Sequence, residues 1–531
     1  MFFFIYLWSK GTELMRRIAF LSFLLVLGLF LSFSIPVRMP AGYFSNPVIC
    51  GDVPDPSIIR FGGTYYATGT SSEWAPLYPI FESKDLVNWK QIGSVFNEPP
   101  AWTTRSFWAP ELFCADGKVY CYYTARRKPD GLSFIGVAVS DSPEKEFTDC
   151  GPVVQFGKEA IDAFVFEAEG NRYITFKAYG LDERPIEILC YQLSDDGLRT
   201  EGEPFTLLRD DDGIGMEGQC VFFKDGWWYI LYAARGCCGP GSDYEVRVAR
   251  SRDFKGPYEY YSGNPILSGG NEEFQSCGHG TVVLTPDDRM FYMCHSYLAG
   301  HDFYLGRQPM LSELELTDDG WIRCKTGKKA ALSQKTPFPG TRQHRPAPFR
   351  DSFRGKALRQ GWMWNYPFSD QDLRLRRGRL NLSGTPAEGV EAGKWGGTAL
   401  CLRAPVSSYS FETKVLTNGE SLKGITIYGD DSNYAALAVQ SGKVCLISRT
   451  RGEETIVYQA PCKAGKIILR CEVDPSSHLR FCWKVKGKWI DVPSDLSATP
   501  LIQWDRMFRP GLIHRGKLTD PGIFEYFSFS P

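Results

Sequence analysis

A short two-strand unit recurs five times in the first 330 residues, and this recurrence limits the folds open to the chain. The fullest copy runs from Met216-Glu217-Gly218 through Cys220-Val221-Phe222-Phe223, turns at Lys224-Asp225-Gly226, and returns along Trp227-Trp228-Tyr229-Ile230-Leu231-Tyr232. Gly226 supplies the positive φ that a tight turn needs, and the flanking Val, Phe, Trp and Tyr suit a pleated, packed surface. Equivalent hairpins follow Asp55, Trp108, Asp162 and His279, with turns at Gly62-Gly63, Asp116-Gly117, Gly170-Asn171 and Asp287-Asp288. The starting positions 55, 108, 162, 217 and 279 lie 53, 54, 55 and 62 residues apart, a period that marks propeller blades or solenoid units. Further strands, such as Val137-Ala138-Val139-Ser140-Asp141 and Val246-Arg247-Val248-Ala249-Arg250-Ser251, extend the units to three or four strands with no amphipathic helix between them. Residues 41–330 therefore read as a five-bladed β-propeller. The blade starts of such a ring meet at one end of its channel, so Asp55, Trp108, Asp162, Glu217 and His279 are expected to converge.

The pattern changes after Trp321. Residues 331–350 contain Pro337-Phe338-Pro339-Gly340 and Arg345-Pro346-Ala347-Pro348 and read as a linker. From Asp351 onward, alternating segments such as Ser410-Phe411-Glu412-Thr413-Lys414-Val415 and Ala435-Ala436-Leu437-Ala438-Val439 predict an antiparallel β-sandwich of jelly-roll or lectin-like type over 351–531. A chain of 531 residues is too long for one ordinary core, and 53 Gly with 34 Pro suits a turn-rich, all-β protein. A net charge of -1 gives no support to a nucleic-acid partner, which needs a basic face.

Residues 1–40 read as an N-terminal extension with a signal peptide. Arg16-Arg17 precede the apolar run from 18 to 31, which is short for a bilayer span. Export to the periplasm or the medium is expected, with an uncleaved membrane anchor as the alternative. Many of the 16 Cys fall inside predicted strands and read as small buried thiols. The adjacent Cys237-Cys238, in an insertion that either borders the pocket or closes a blade, are not expected to pair. No Cys/His spacing makes a zinc site.

Three carboxylates and a histidine at matching blade starts exceed what folding requires. Singly, each reads as a turn acceptor for backbone N–H groups. In register they read as a site. Glycosidic cleavage calls for two carboxyl groups, one protonated to donate to the leaving oxygen and one ionised to activate water or attack carbon. A third beside the acid raises its pKa by like-charge repulsion.

Asn46-Pro47-Val48, Pro54-Asp55-Pro56-Ser57-Ile58, Trp108-Ala109-Pro110-Glu111, Ile161-Asp162, Met216-Glu217-Gly218, Gly278-His279-Gly280 and Gly306-Arg307 resemble glycoside hydrolase family 43. Asp351-Ser352-Phe353, Trp362-Met363-Trp364-Asn365 and Phe524-Glu525-Tyr526-Phe527 resemble the accessory domain of that family's β-xylosidases. The resemblance implies Asp55 as general base, Asp162 as pKa modulator and Glu217 as general acid. It also implies inversion, with the base and acid carboxyls about 6.5–9.5 Å apart. Arg307 matches a substrate-binding arginine and Trp74 an aromatic platform against the sugar. Trp108 serves either as a second platform or as packing between blades. His279 either helps to hold a calcium or sodium ion with waters or is a hydrogen-bonded channel histidine without metal; no cofactor takes part in the chemistry. Ala163 and Gly218-Gln219 depart from the commoner motifs and weaken any transfer of sugar specificity. The implied protein is an exported inverting glycosidase that removes terminal α-L-arabinofuranose or β-D-xylose from plant oligosaccharides. A β-galactosidase acting on arabinogalactan side chains and a non-catalytic sugar-binding propeller are the alternatives.

Overall fold

The structure, a computed structural model, describes residues 39–531 except 180–184, 367, 503 and 505; the expected signal sequence lies outside the described residues. Blade one is built from Ser57–Phe61, Thr64–Thr68, Leu77–Ser83 and Lys90–Phe96, in that order from the channel outward. Blade two uses Thr103–Ala115, Lys118–Arg127, Ser133–Ser140 and Thr148–Val154, and blade three Glu159–Ala168, Asn171–Tyr179, Glu187–Leu193 and Thr200–Arg209. In blade four, Glu217–Lys224, Trp227–Ala234 and Glu245–Ser251 are followed by two short outer strands. Blade five is formed by Phe274–Leu284, Met290–Leu298, Gln308–Leu316 and Ile322–Cys324. Every neighbouring pair within a blade is antiparallel, as hairpin turns at Gly117, Gly170 and Gly226 require.

The innermost strands share one irregularity. Pairing slips between Trp108 and Glu111, between Ile161 and Phe164, between Glu217 and Cys220, and between Gly278 and Gly280. Within these bulges Ala109, Asp162, Gly218 and His279 have positive φ, and so does Asp55 just ahead of its strand. A bulge bends its strand and re-aims side chains. The truly equivalent residues are thus Asp55, Ala109, Asp162, Gly218 and His279, and Trp108 and Glu217 each precede the equivalent position by one.

Between blades one and two lies Glu111, buried, its Oε2 accepting a hydrogen bond from Ser57 Oγ at 2.6 Å. Burial pushes its carboxyl up to about 8, against the lowering effect of that hydroxyl. An unfolded Glu titrates near about 4.3, so between these values the folded chain holds a proton that the unfolded chain has lost. Stability is therefore full below the lower value and declines as pH rises toward 8. Thermal unfolding should show this directly: Glu111→Gln is expected to raise Tm at pH 8 by several degrees and to leave it nearly unchanged at pH 4.

The expected linker is partly structured. Ser333–Lys335 pairs with Tyr43–Ser45, and the Gln343 side chain exchanges two hydrogen bonds with the Ser45 backbone at 2.8 and 2.7 Å. Beyond it, an eight-stranded and a seven-stranded antiparallel sheet form the sandwich. Phe411, Leu469, Phe481, Phe527 and Phe529 on one sheet and Ile425, Leu437, Val439, Leu446 and Leu512 on the other belong to a single buried cluster. Alternation along Tyr409–Leu416 gives one buried face and one half-exposed face, as a sheet packed on one side should.

Trp74 is placed differently from the expected sugar platform. It is 3% exposed and packs edge-on against Tyr428 of the sandwich at 5.7 Å, with the Arg509 guanidinium 4.8 Å from its ring centre. Its neighbour Ala75 bridges to Trp364. This ring holds the two domains together, because a large apolar surface is better buried against a second domain than left at the pocket edge.

Candidate active site

A cavity of about 550 Å³ opens at the blade starts and is lined by Asp55, Asp162, Glu217, His279, Arg307 and Trp108, six of the seven residues expected there. A larger cavity of about 840 Å³, between residues 39–50, 341–346 and 405–406, has no carboxylate in its lining and so lacks the chemistry.

Asp55 Oδ1 lies 3.2 Å from Arg307 Nη1 and 3.1 Å from His295 Nδ1, and Oδ2 accepts from Thr70 Oγ1 at 2.6 Å. Burial pushes this carboxyl up, but the Arg307 guanidinium, with His295 and His279, outweighs burial and holds it well below the usual carboxylate range. Asp55 is therefore an ionised acceptor. Asp162 Oδ2 accepts the Gly218 N–H at 3.1 Å. Burial, with the charge of Glu217 beside it, raises Asp162 to about 6 despite His279 and Lys177. Glu217 accepts from Tyr244 OH at 2.9 Å and pairs with Lys177 Nζ. Burial opposes its ionisation, and Lys177 first, then Tyr244 and His279, prevail and lower its pKa. Of the two carboxyls Asp162 is therefore the more readily protonated.

His279 stands between the acids, its Nδ1 3.5 Å from Asp55 Oδ1 and 3.7 Å from Asp162 Oδ2. Gly218 permits this approach: a Cβ there would lie 2.5 Å from His279 Cγ. The departure at Gly218 thus has a steric reason. Among the described residues no three Asp, Glu, His or Cys are grouped to grip an ion directly, and Nδ1 is already turned to the two carboxylates. A calcium or sodium ion here would thus be held by His279 together with waters, and no step below uses one.

Trp108 is half-buried on the pocket wall rather than between blades, and its partner comes from the sandwich. Trp504, 59% exposed, meets it edge-on at 6.5 Å, and Arg506 lies 3.6 Å from Glu73. The accessory domain thus closes one side of the pocket. Cys237 and Cys238 line the same wall and are joined by a disulfide, contrary to expectation. The turn from Gly236 to Gly239, held by Ser242 Oγ donating to the carbonyls of Gly236 and Cys237, brings the two thiols to one side.

Sequence reasoning missed Lys177, Tyr244, His295, Trp504 and Arg506. Lys177 and His295 carried a signal, since each is a polar residue inside an apolar inner strand, in Tyr173-Ile174-Thr175-Phe176-Lys177-Ala178 and Met293-Cys294-His295. His295 stacks on Tyr244 with 15° between the rings, and burial lowers it to about 4, so it stays uncharged at neutral pH.

The family model of glycosyl hydrolases family 43 matches residues 44–322, and that of the beta xylosidase C-terminal concanavalin A-like domain matches 350–506. The chain belongs to glycosyl hydrolases family 43. It is 27% identical over 481 residues to a non-reducing end alpha-L-arabinofuranosidase of Bacteroides ovatus, covering 84% of this chain and 85% of that protein. A putative beta-xylosidase of Escherichia coli is 28% identical over 551 residues, 92% of this chain and 99% of that one. The crystal structure of a xylan beta-1,4-xylosidase from Bacillus halodurans C-125 superposes with a TM-score of 0.81 at 21% identity, over 92% of this chain and all of that one. The family 43 fold is thus shared along both domains, five-bladed propeller and sandwich, and this family 43 chain is a glycoside hydrolase.

Proposed function

We propose that the protein is an exported exo-acting glycosidase that removes a terminal pentose, β-D-xylose or α-L-arabinofuranose, from plant-derived oligosaccharides with inversion. The observation that carries this reading is the convergence of Asp55, Asp162, Glu217 and Arg307 in a pocket that the sandwich closes on one side. The two sugars are those named for its relatives, and the closed wall favours a chain end over a continuous polymer.

In this reading the ionised Asp55 takes a proton from water as the water oxygen bonds to the anomeric carbon, and Glu217 gives a proton to the departing glycosidic oxygen. Glu217 must first regain that proton. A leaving oxygen beside Glu217 displaces the Lys177 ammonium, the proton passes from Asp162, and the Gly218 N–H offsets the charge left on Asp162. Arg307 keeps Asp55 ionised and lines the pocket as a fixed guanidinium fork suited to sugar hydroxyls.

The pH profile of kcat/KM tests this scheme because it reports the free enzyme. Activity is expected to fall above about pH 6 as Asp162 and Glu217 lose their shared proton, and Asp55, held well below the usual carboxylate range, should set no acid limb within that range. Lys177→Met removes the cation that favours ionisation and should move the alkaline limb up by about one unit. An unmoved limb would take the proton-sharing step out of the scheme. Hydrolysis of aryl β-D-xyloside, α-L-arabinofuranoside and β-D-galactoside selects the sugar; turnover of the galactoside alone would refute the pentose assignment.

A further inference from the structure

Arg105 and Arg126 are cross-strand partners on the first two strands of blade two, and both line the active-site pocket. They differ from the other cations in its wall. Lys177 pairs with Glu217, Arg307 with Asp55 and Arg506 with Glu73. Among the described residues neither Arg105 nor Arg126 is paired with a carboxylate. Glu159, across the edge of blade three, lines the same pocket and pairs with neither. The Arg126 guanidinium lies 5.6 Å from the centre of the Trp108 ring, and its Nε is buried with no acceptor. Two like charges set directly opposite each other across a strand pair without a counter-charge are destabilising, and an anion bound against both relieves that cost.

We propose that Arg105 and Arg126 form a subsite for an anionic group, a uronic acid carboxylate or a sulfate ester, carried by the sugar on the leaving side of the scissile bond. The assignment rests on the exo-glycosidase reading above. The terminal sugar then occupies the floor, where Asp55, Asp162 and Glu217 converge, so groups in the wall at blade two meet the rest of the substrate. The planar guanidinium fork matches the paired oxygens of a carboxylate or sulfate better than it matches single hydroxyls. Trp108 and Trp504 beside it offer ring faces for the sugar that bears the charge. The enzyme accordingly prefers acidic oligosaccharides to neutral ones of the same length.

The test uses the full chain with Glu217→Gln to stop turnover, and calorimetry with three probes. These are a xylo-oligosaccharide carrying glucuronic acid on the sugar next to the terminal xylose, the same molecule with its carboxyl reduced to an alcohol, and a sulfated xylo-oligosaccharide. The uronate is expected to bind at least tenfold more tightly than its reduced form at low salt, with the advantage shrinking as salt is added. Arg105→Gln and Arg126→Gln should each erase most of that advantage and leave binding of the reduced probe unchanged, which also shows that the variants fold. A tenfold gain for the sulfated probe in place of the uronate supports the subsite and assigns it to sulfate. Equal affinity for all three probes, or variants that weaken charged and neutral probes alike, overturns it. Hydrolysis of uncharged aryl pentosides by the unmutated enzyme reads the proposed function separately, because that reaction does not involve the arginine pair.

Discussion

Asp55→Asn is expected to lower kcat/KM by about 10²–10⁴-fold, the usual contribution of a positioned acid or base. The amide keeps the size of the side chain and can still accept from Thr70 Oγ1, which now bonds Asp55 Oδ2 at 2.6 Å, while its NH2 group no longer accepts from Arg307 Nη1. It cannot take a proton from water. Arg307 and His295 bias Asp55 toward ionisation, which suits a base and disqualifies it as the acid. Residual activity above a tenth of the original, with ligand affinity intact, would remove Asp55 from this role.

The second large effect is expected from Asp52, which catalysis does not use. Its Oδ1 accepts the Arg307 backbone N–H at 3.1 Å and its Oδ2 lies 3.1 Å from Arg509 Nη2 of the sandwich. Burial and Arg509 both push Arg403 down, and Asp52 is the group that supports its charge. Asp52→Ala removes a negative charge that faces buried Arg509 and supports half-buried Arg403, and breaking one partner of a buried pair costs about 3–5 kcal/mol. Calorimetry should show a fall in Tm of several degrees or a separate early transition of the sandwich. KM should rise with it, because Trp504 and Arg506 reach the pocket only while the sandwich is docked. Asp52→Asn keeps the size of the side chain and one of its two acceptors and should lose less. A variant with unchanged Tm and KM would show that the docking does not depend on this carboxylate.

The hairpin repeat was legible because each turn carries Gly or Asp next to β-branched and aromatic residues, and because the same pattern returns five times. The offset at Trp108 and Glu217 was not, since a bulge adds one residue to a strand without changing its composition. Three of the five blade-start residues that converge on the site are acids and one is histidine, which is why the pocket could be foreseen from spacing. Trp74 was misplaced because an aromatic near a motif looks the same whether it faces a sugar or a second domain. Cys237 and Cys238 depend on a turn whose shape is set by Ser242, five residues beyond the first of them. Trp504 and Arg506 left no signal in the propeller at all. Their arrival at the pocket is a consequence of docking, and only the packing of Trp74, Arg509 and Asp52 reveals it.

The central claim, that Asp55 directs water onto the anomeric carbon while Glu217 protonates the leaving oxygen, is tested most directly by the anomer of the first-formed sugar. Proton NMR of the earliest turnovers of whichever aryl pentoside is hydrolysed should show the product with the configuration opposite to that of the substrate, before mutarotation mixes the two. Product that first appears with the substrate's own configuration would mean a covalent glycosyl intermediate, and would contradict the roles given to both carboxylates.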